Sequence, residues 1–256
     1  MAGRERGEQQ FISESGYLEL KYSELRAPRS KYPDLLAAWV LEHVFEQRGS
    51  LLDLGSGRGD HLAAFARLGF DVTGVDLARA APELAGAFTV HRVDLEAEAL
   101  PFADASFDFL FSKSVLEHIR NAASFLSGAR RVLKPGGRIA IFTPSWRHMH
   151  AEAFFSEYTH VRPFTAPSLH EALILAGFED VDVGYFRQLP FTWRHPWLLP
   201  PVAALGRLPL PYRPLRDAPW PGRLNTLIRF SREVLLLGVA RAPASDSQSD
   251  SSATAA

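Results

Sequence analysis

The chain has 256 residues, 46% of them hydrophobic and 22% charged, which is ordinary for a globular protein. Its formal net charge of −1 provides no overall attraction for nucleic acid, so we expect no nucleic-acid partner. The sequence has no cysteine, which excludes a disulfide scaffold, a thiolate nucleophile and a thiolate metal site.

The two ends of the chain are polar. The N-terminal stretch MAGRERGEQQ has no apolar signal segment behind it, and no apolar run approaches the ~20 residues that cross a bilayer. These features predict a cytoplasmic location. Residues 1–32 are interpreted as an N-terminal extension, and the tail over 244–256 is predicted to be disordered because it has too few apolar residues to fold.

Strand-like and helix-like segments alternate through the middle of the chain. Helical spacing of apolar residues predicts a first helix over 33–47. Predicted strands then cover 50–55, 70–77, 87–95, 106–113, 137–145 and 178–186, with predicted helices over 60–69, 123–133 and 167–177. This alternation is typical of βαβ units in a mostly parallel sheet with helices on both faces. We therefore assign a core domain to 33–187.

The alternation ends after Gln188. Residues 189–221 contain nine of the 18 prolines and three of the five tryptophans, and one acid, Asp217, faces four arginines: Arg194, Arg207, Arg213 and Arg216. So many prolines argue against both a core helix and a core strand in this segment. We interpret 188–226 as an insert that forms a lid, a packed or dimer-forming lobe, or a surface for an anionic membrane or acceptor. The last core section, 227–243, is predicted to contain a final buried strand over 232–243.

The stretch LLDLGSGRGD, residues 51–60, places Gly55, Gly57 and Gly59 between a predicted strand and a predicted helix. Glycine lets the main chain approach a ligand closely, and the following helix N-terminus offers unpaired N–H groups. A tight turn with a packing role only is the alternative. Asp76 closes the second predicted strand about 20 residues further on, where an acid can accept both ribose hydroxyls. Asp94 closes the third, where an acid can accept from an adenine amino group.

These motifs, together with LPF…SFD before strand four and VLKPGG before strand five, resemble a known family over about residues 50–183. The chain is similar to the class I S-adenosylmethionine-dependent methyltransferases of the small-molecule type (methyltransferase domain 11-like). The resemblance implies an α/β fold with a doubly wound, mostly parallel, seven-stranded Rossmann-like sheet whose last strand is antiparallel. It also implies S-adenosyl-L-methionine as the cofactor.

A nicotinamide-dependent oxidoreductase is the disfavoured alternative. Dehydrogenases space their glycines as G-x-G-x-x-G, whereas this loop has G-x-G-x-G. The acid Asp53 also stands beside the loop, where it would repel the phosphates of a dinucleotide.

The resemblance implies a set of cofactor-binding residues. Asp53, Gly55, Ser56, Gly57 and Gly59 would lie against the methionine moiety, Asp76 against the ribose, Asp94 and Leu95 against the adenine, and Ser112 beneath the sulfonium. Leu77, next to Asp76, completes the set.

Methyl transfer to an alcohol benefits from a group that takes up the hydroxyl proton. His118, in SVLEHI, and His160, in EYTHVRPFT, are the candidate catalytic bases, and Glu117 is placed to orient His118. Structural alternatives stay open, since His118 belongs to a motif shared by family members with unlike substrates, and His160 is also placed to pin the following turn.

A polar cluster surrounds His160 in the sequence: His148, His150, Glu152, Glu157 and His160. Its spacing matches no defined zinc site, so we expect no metal and interpret the cluster as a pocket wall. Four aromatic residues are candidates to line the acceptor site or, equally, to pack in the core: Trp146, Phe154, Phe155 and Tyr158.

The sequence therefore predicts an S-adenosylmethionine-dependent methyltransferase. Its acceptor is predicted to be a hydroxyl, or less favourably an amine or carbon, of a small molecule, glycan or lipid-linked compound. A catalytically silent cofactor-binding regulator of the same fold is the non-enzymatic alternative. Peripheral contact with the inner face of a membrane through 188–221 is a further hypothesis.

Overall fold

A computed structural model describes residues 28–78, 81–149, 152–211 and 220–244. The predictions for most of the N-terminal extension and of the C-terminal tail lie outside these ranges. Seven strands form one sheet: β1 (Ser50–Leu54), β2 (Asp71–Asp76), β3 (Val90–Arg92), β4 (Phe107–Lys113), β5 (Leu133–Pro144), β6 (Glu179–Arg187) and β7 (Val234–Arg241).

The strand order in the sheet is β3-β2-β1-β4-β5-β7-β6. Strands β1 to β5 pair in parallel, and β7 runs antiparallel between β5 and β6. The last strand of the chain is thus inserted antiparallel, and the predicted fold class is confirmed.

Nine helices accompany the sheet within the described ranges: α1 (Tyr32–Val40), α2 (Asp60–Arg67), α3 (Ala81–Leu84), α4 (Ala122–Val132), α5 (Glu152–Phe155), α6 (Ala166–Leu175), α7 (Pro190–Arg194), α8 (Leu199–Arg207) and α9 (Gly222–Arg232). A π-helical turn over Leu41–Phe45 continues α1, and short 3₁₀ turns cover Leu116–His118 and Pro196–Leu198. Side-chain oxygens cap two of the helices, since Asn121 accepts from the Ser124 N–H before α4, and Thr165 and Ser168 form a capping box at α6.

The central strands of the sheet are buried on both faces, whereas the edge strand β6 is largely exposed. Helices α1 and α2 cover one face, where Phe109, Phe111 and Phe142 pack together. Helices α4 and α6 cover the other face, against Leu110 and Ile141. Because alternate residues of a strand point to opposite faces, a sheet covered on both sides needs nearly continuous apolar strands, as this sequence has.

The insert is helical, although its prolines argued against core secondary structure. Pro190 and Pro200 lie in the first turns of α7 and α8, where a missing N–H breaks no helical hydrogen bond. Only one residue is buried in each helix, so neither belongs to the core. The indole of Trp193 nevertheless packs against Phe186 of β6, with ring centres 5.2 Å apart, and docks α7 onto the sheet.

Three predicted strands differ from the structure in their boundaries, and one of them is β5, which begins at Leu133 and not at residue 137. The last core section begins with α9, and β7 begins only at Val234. Helix α9 buries Asn225, Ile228 and Ser231, whose spacing of three is that of one helical face. At the third strand, β3 is short, so Asp94 lies two residues beyond its end.

Among the helices that the structure describes, none combines the length and the apolar composition that a bilayer crossing requires.

Candidate functional site

The carboxyl ends of the central strands bring the predicted site residues to one edge of the sheet. Leu54 of β1 is in register with Val75 of β2 and with Ser112 of β4. Lys113 of β4 is in register with Phe142 of β5. The glycine loop after β1, the acid ending β2 and the turn after β4 therefore lie side by side, where open α/β sheets bind ligands.

The glycine loop requires its glycines. Gly55, Gly57 and Gly59 have φ values of +81°, +55° and +80°, in the left-handed region that favours glycine. A Cβ on Gly55 would overlap the Val115 side chain, and one on Gly59 would lie 3.0 Å from the Ala85 Cα. The main chain of this loop is therefore closely packed against its neighbours, and we call residues 55–59 the glycine cradle.

Asp76 stabilises this loop through hydrogen bonds to its backbone. Its Oδ2 accepts a hydrogen bond from the Gly57 N–H at 2.7 Å, and its Oδ1 accepts from the Ala78 N–H at 2.8 Å. Burial raises the pKa of the Asp76 carboxyl, and the two backbone N–H groups partly offset that rise. Since each carboxylate oxygen can accept two hydrogen bonds, the carboxylate retains capacity for two further donors.

Two buried polar atoms beside the loop lack hydrogen-bond partners within the described residues. They are the Asp53 Oδ2, on a side chain that is 2% exposed, and the Ser56 Oγ. Burial, and secondarily the charge of Asp76, raises the pKa of Asp53 to about 8. Unpaired buried polar atoms are costly, and a polar ligand at the loop would satisfy them.

The other predicted cofactor residues also have structural contacts. The Asp94 Oδ1 accepts from the N–H groups of Glu96 and Ala97 at 3.0 and 3.3 Å and so shapes a turn. Leu95 packs against the core, and the Leu77 carbonyl accepts from the Arg92 guanidinium at 3.3 Å. The fully buried Ser112 donates its hydroxyl to the Leu54 carbonyl at 3.2 Å, which ties β4 to β1 under the loop.

The two candidate catalytic histidines meet. The rings of His118 and His160 lie 4.8 Å apart, although 42 positions separate them in the sequence. The His118 Nδ1 lies 3.0 Å from the Thr159 carbonyl, and the His160 Nδ1 lies 2.8 Å from the Phe154 carbonyl. Because a carbonyl only accepts, each Nδ1 carries the hydrogen of the neutral ring, which leaves Nε2 as the basic nitrogen.

Glu117 joins this pair as a buried acid. Its side chain is 1% exposed, its Oε2 accepts from the Thr143 hydroxyl at 2.9 Å, and its Oε1 has no hydrogen-bond partner within the described residues. Burial raises the pKa of Glu117 to about 7. One ligand-type atom from each of Glu117, His118 and His160 lies within 4.8 Å of the others. The backbone carbonyl of Thr159 holds the His118 ring at Nδ1, and the Glu117 carboxylate lies beside it, so a role of Glu117 in orienting His118 stays a prediction.

The polar pocket wall predicted from the sequence is only partly assembled. His148 lies 3.0 Å from the Ser145 hydroxyl and packs on Tyr185, so it is not part of the group around His160. His150 and the side chain of Glu152 lie outside the described residues. Of the aromatic candidates, Phe154 is core, Trp146 packs against it, and Phe155 and Tyr158 are 55% and 72% exposed.

Comparison with known proteins identifies the family. The sequence profile of a family described as methyltransferase domain matches residues 25–183, more than half of the chain. The chain belongs to this methyltransferase family. The resemblance over 50–183 is thereby confirmed, together with the class I S-adenosylmethionine-dependent methyltransferase fold.

Individual relatives of this methyltransferase are distant. The biotin biosynthesis bifunctional protein BioHC of Cellvibrio japonicus is 33% identical over 160 residues, 56% of this chain and 31% of that protein. A ubiquinone biosynthesis O-methyltransferase of Roseobacter denitrificans is 30% identical over 162 residues, 56% of this chain and 65% of its own. The methyltransferase thus spans less than two thirds of either relative's length. A solved S-adenosylmethionine-dependent methyltransferase from Archaeoglobus fulgidus superposes with a TM-score of 0.61 at 18% identity, covering 88% of this chain and 99% of that one.

The methyltransferase site fits the family's cofactor on three observations. The glycine cradle admits close approach, Asp76 has acceptor capacity left, and the unpaired Asp53 oxygen suits a cationic amino-acid end better than a phosphate. Asp53, Ser56 and the cradle would hold the methionine end, and Asp76 the ribose.

Sequence reasoning missed two ionisable residues of the methyltransferase site. Lys113 ends β4 with its ammonium 5.8 Å from the centre of the Tyr32 ring, and burial lowers its pKa, although its side chain keeps partial solvent contact. The half-buried His61 packs on Phe111 with ring centres 5.0 Å apart, and desolvation, then the charge of Lys113, lowers its pKa to about 3. A charged residue that ends an apolar strand, as in FDFLFSK, was the available signal.

Proposed function

We propose that the methyltransferase transfers a methyl group from S-adenosylmethionine to a hydroxyl of a small molecule, including the hydroxyl of a glycan or glycolipid. The observation that carries the proposal is the pair His118–His160. Both Nδ1 atoms are anchored on backbone carbonyls, and both rings lie beside the buried Glu117. When bound, the cofactor supplies an electrophilic methyl group on a cationic sulfur.

The protein groups divide the remaining work. The glycine cradle and Asp76 position the donor, and positioning of donor and acceptor provides most of the acceleration in an in-line displacement. The Nε2 of His160 or of His118 takes the acceptor proton. Glu117 stabilises the resulting imidazolium, because a nearby positive charge favours the ionised carboxylate.

One relative and the chemistry of the site support the choice of a hydroxyl acceptor over other acceptors. The Roseobacter relative is named for O-methylation in ubiquinone biosynthesis. A histidine base is also what an alcohol requires and what a carbanion or an unprotonated amine does not.

Calorimetry tests cofactor choice. We expect the purified chain to bind S-adenosylmethionine and not NAD, and Asp76→Ala to weaken binding about 100-fold because the loop loses its hydrogen-bonded support and the ribose its acceptor. Asp71→Ala removes an exposed acid at the start of the same strand and is the matched control. Binding of NAD in preference to S-adenosylmethionine would contradict the proposal.

Transfer of a labelled methyl group into a cell extract, followed by identification of the labelled product, tests turnover. His160→Ala and His118→Ala should slow labelling by roughly 10²- to 10⁴-fold without loss of cofactor binding. The surface variant His43→Ala serves as the control. If a chelator leaves the rate of labelling unchanged, proton transfer by the histidines is supported. If a chelator abolishes labelling and added metal restores it, Glu117, His118 and His160 are metal ligands instead. Cofactor binding without any labelled product would favour the silent-regulator alternative.

A further inference from the structure

Four basic side chains from three segments converge at the β6 end of the site edge. Arg147 and His148 follow β5, Arg187 ends β6 and Arg207 ends α8. We call them the basic cluster. Tyr185 connects the first two, since the Arg147 guanidinium lies 6.0 Å from the centre of its ring and the His148 ring lies 4.9 Å from it.

The Ser231 carbonyl connects the other two arginines. The Arg187 Nη1 donates a hydrogen bond to this carbonyl. Gly206, directly before Arg207, packs so closely on the same carbonyl that a Cβ there would overlap it. The last turn of α8 is therefore held beside the end of β6, and Arg207 beside Arg187.

The basic cluster contains no acid. In the ranges that the structure describes, Arg147, Arg187 and Arg207 form no ion pair with a carboxylate, and the charges of all three lower the pKa of His148, after burial. Several arginines elsewhere have carboxylate partners, whereas Arg48 and Arg92 donate to backbone carbonyls. Those with carboxylate partners include Arg58, Arg67, Arg131, Arg138, Arg229 and Arg241. Like charges held together repel one another, and a bound anion would remove that cost.

The basic cluster lies at a defined distance from the methyl-donor edge. Strands β4, β5, β7 and β6 are neighbours in that order, so β6 is three strand spacings from β4. At about 4.8 Å per spacing, Arg187 is roughly 14 Å from the end of β4. An extended acceptor can reach both places.

We propose that the basic cluster binds a phosphate or diphosphate group, and that the methyl acceptor carries this group roughly 10–15 Å from the hydroxyl that is methylated. Guanidinium groups match phosphate oxygens with paired N–H donors, and several arginines from separate segments can surround one such group. The second part of this inference rests on the proposed function, and the first part does not.

Isothermal titration calorimetry of inorganic pyrophosphate binding to the full chain tests the basic cluster as a phosphate site. We expect one site per chain and at least a tenfold weaker affinity in the double variant Arg147→Gln/Arg207→Gln, which replaces two exposed side chains. Arg194→Gln removes an exposed arginine of α7 outside the basic cluster and should change the affinity less than twofold. Absence of saturable binding, or an equal loss in Arg194→Gln, overturns the proposal.

Two further probes identify the source of the phosphate. Cluster-dependent binding of glucose 1-phosphate assigns a soluble phosphate ester, and cluster-dependent sedimentation with phosphatidic acid vesicles, but not with phosphatidylcholine vesicles, assigns a lipid phosphate. Failure of both overturns the acceptor part of the inference. If the chain binds S-adenosylmethionine but not pyrophosphate, only this inference is wrong. If it binds pyrophosphate but not S-adenosylmethionine, only the proposed function is wrong.

Discussion

At the scale of single residues, the site edge concentrates ionisable groups whose pKa values move toward the neutral form. Burial raises the pKa of Asp53 and of Glu117, and burial lowers the pKa of His61 and of Lys113. Such opposite shifts are typical of functional sites, because a site held nearly neutral without ligand can accept charge when ligand arrives. The cost is lower stability of the free protein.

Glu117→Gln should change the pH dependence of stability. The pKa of Glu117 is about 7 in the folded protein, compared with an ordinary value of 4.5. Below pH 4.5 the carboxyl is protonated in both states and does not destabilise the fold. Above pH 7 its ionisation lowers the free energy of unfolding by about 3 kcal/mol. The variant should equal the wild type at pH 4.5 and be more stable by up to about 3 kcal/mol at pH 8. Urea denaturation across this range is the measurement.

The control for Glu117→Gln is Glu179→Gln, which removes an exposed carboxylate. If the free energies of unfolding of the wild type and of Glu117→Gln differ by the same amount at every pH, Glu117 is not a destabilising buried acid.

Asp53 should release a proton when cofactor binds. With a pKa of about 8 it is mostly protonated at pH 7, and a cation beside it favours the ionised form. The heat of S-adenosylmethionine binding should therefore differ between Tris and PIPES buffers, which take up protons with different enthalpies. Asp53→Asn should remove this buffer dependence. Equal wild-type heats in both buffers would show that the cofactor does not contact an ionising Asp53.

At the scale of secondary-structure elements, close backbone approaches at glycines decide how the site is assembled. The β1–α2 loop passes against Val115 at Gly55, and α8 passes against α9 at Gly206. The first contact builds the cradle, and the second holds Arg207 beside Arg187.

Gly55→Ala should be more destabilising than Gly86→Ala. Both glycines have positive φ, but Gly86 has no atom within 4 Å of a new Cβ, whereas Gly55 has Val115. Backbone strain costs roughly 1–2 kcal/mol in each, and the overlap adds to it at Gly55. Urea denaturation measures the difference. Adding Val115→Ala to Gly55→Ala should recover part of the loss, and no recovery would show that the overlap is not the cause.

Gly206→Ala should separate α8 from α9. The added methyl group overlaps the Ser231 carbonyl and should cost about 1–3 kcal/mol of stability, with weaker pyrophosphate binding as a second effect. Gly222→Ala, at the first residue of α9, meets no atom within 4 Å and is the control. Thermal unfolding that responds equally to both variants would contradict this account of the contact.

At the scale of the whole molecule, the sheet order brings distant parts of the chain to one edge. The cradle comes from β1, the histidine pair from the segments after β4 and β5, and the basic cluster from β5, β6 and α8. A ligand that binds this edge only in the folded state stabilises the folded state.

S-adenosylmethionine should raise the unfolding temperature. At 100 times its dissociation constant a ligand of the folded state adds about 2.7 kcal/mol, which corresponds to roughly 5–10 °C for a chain of this size. Differential scanning calorimetry at matched concentrations of S-adenosylmethionine and NAD is the measurement. A rise with NAD alone would point to the oxidoreductase.

The sequence by itself determined the fold class and the position of the glycine loop. Both follow from short-range patterns: the alternation of strands and helices, three glycines that follow one strand directly, and acids that follow the next strands within about 20–40 residues. Backbone dihedrals, helix starts and strand burial are local properties, so local sequence carries them. Pro190 and Pro200 indicated that their segments are not core helices, but they did not reveal the surface helices α7 and α8, because proline starts a helix as readily as it breaks one.

Only the tertiary structure decided which charged side chains share a site. His118 meets His160 because β4 and β5 are parallel neighbours in the sheet. Arg147 lies in one group with Arg207 because β7 is inserted antiparallel between β5 and β6 and because α9 holds α8 against the end of β6. Such proximities depend on long connections and on packing between helices, which no local spacing encodes. The burial that shifts the pKa of Glu117 and Lys113 has the same origin, since it depends on what covers a strand end and not on the residues next to it in sequence.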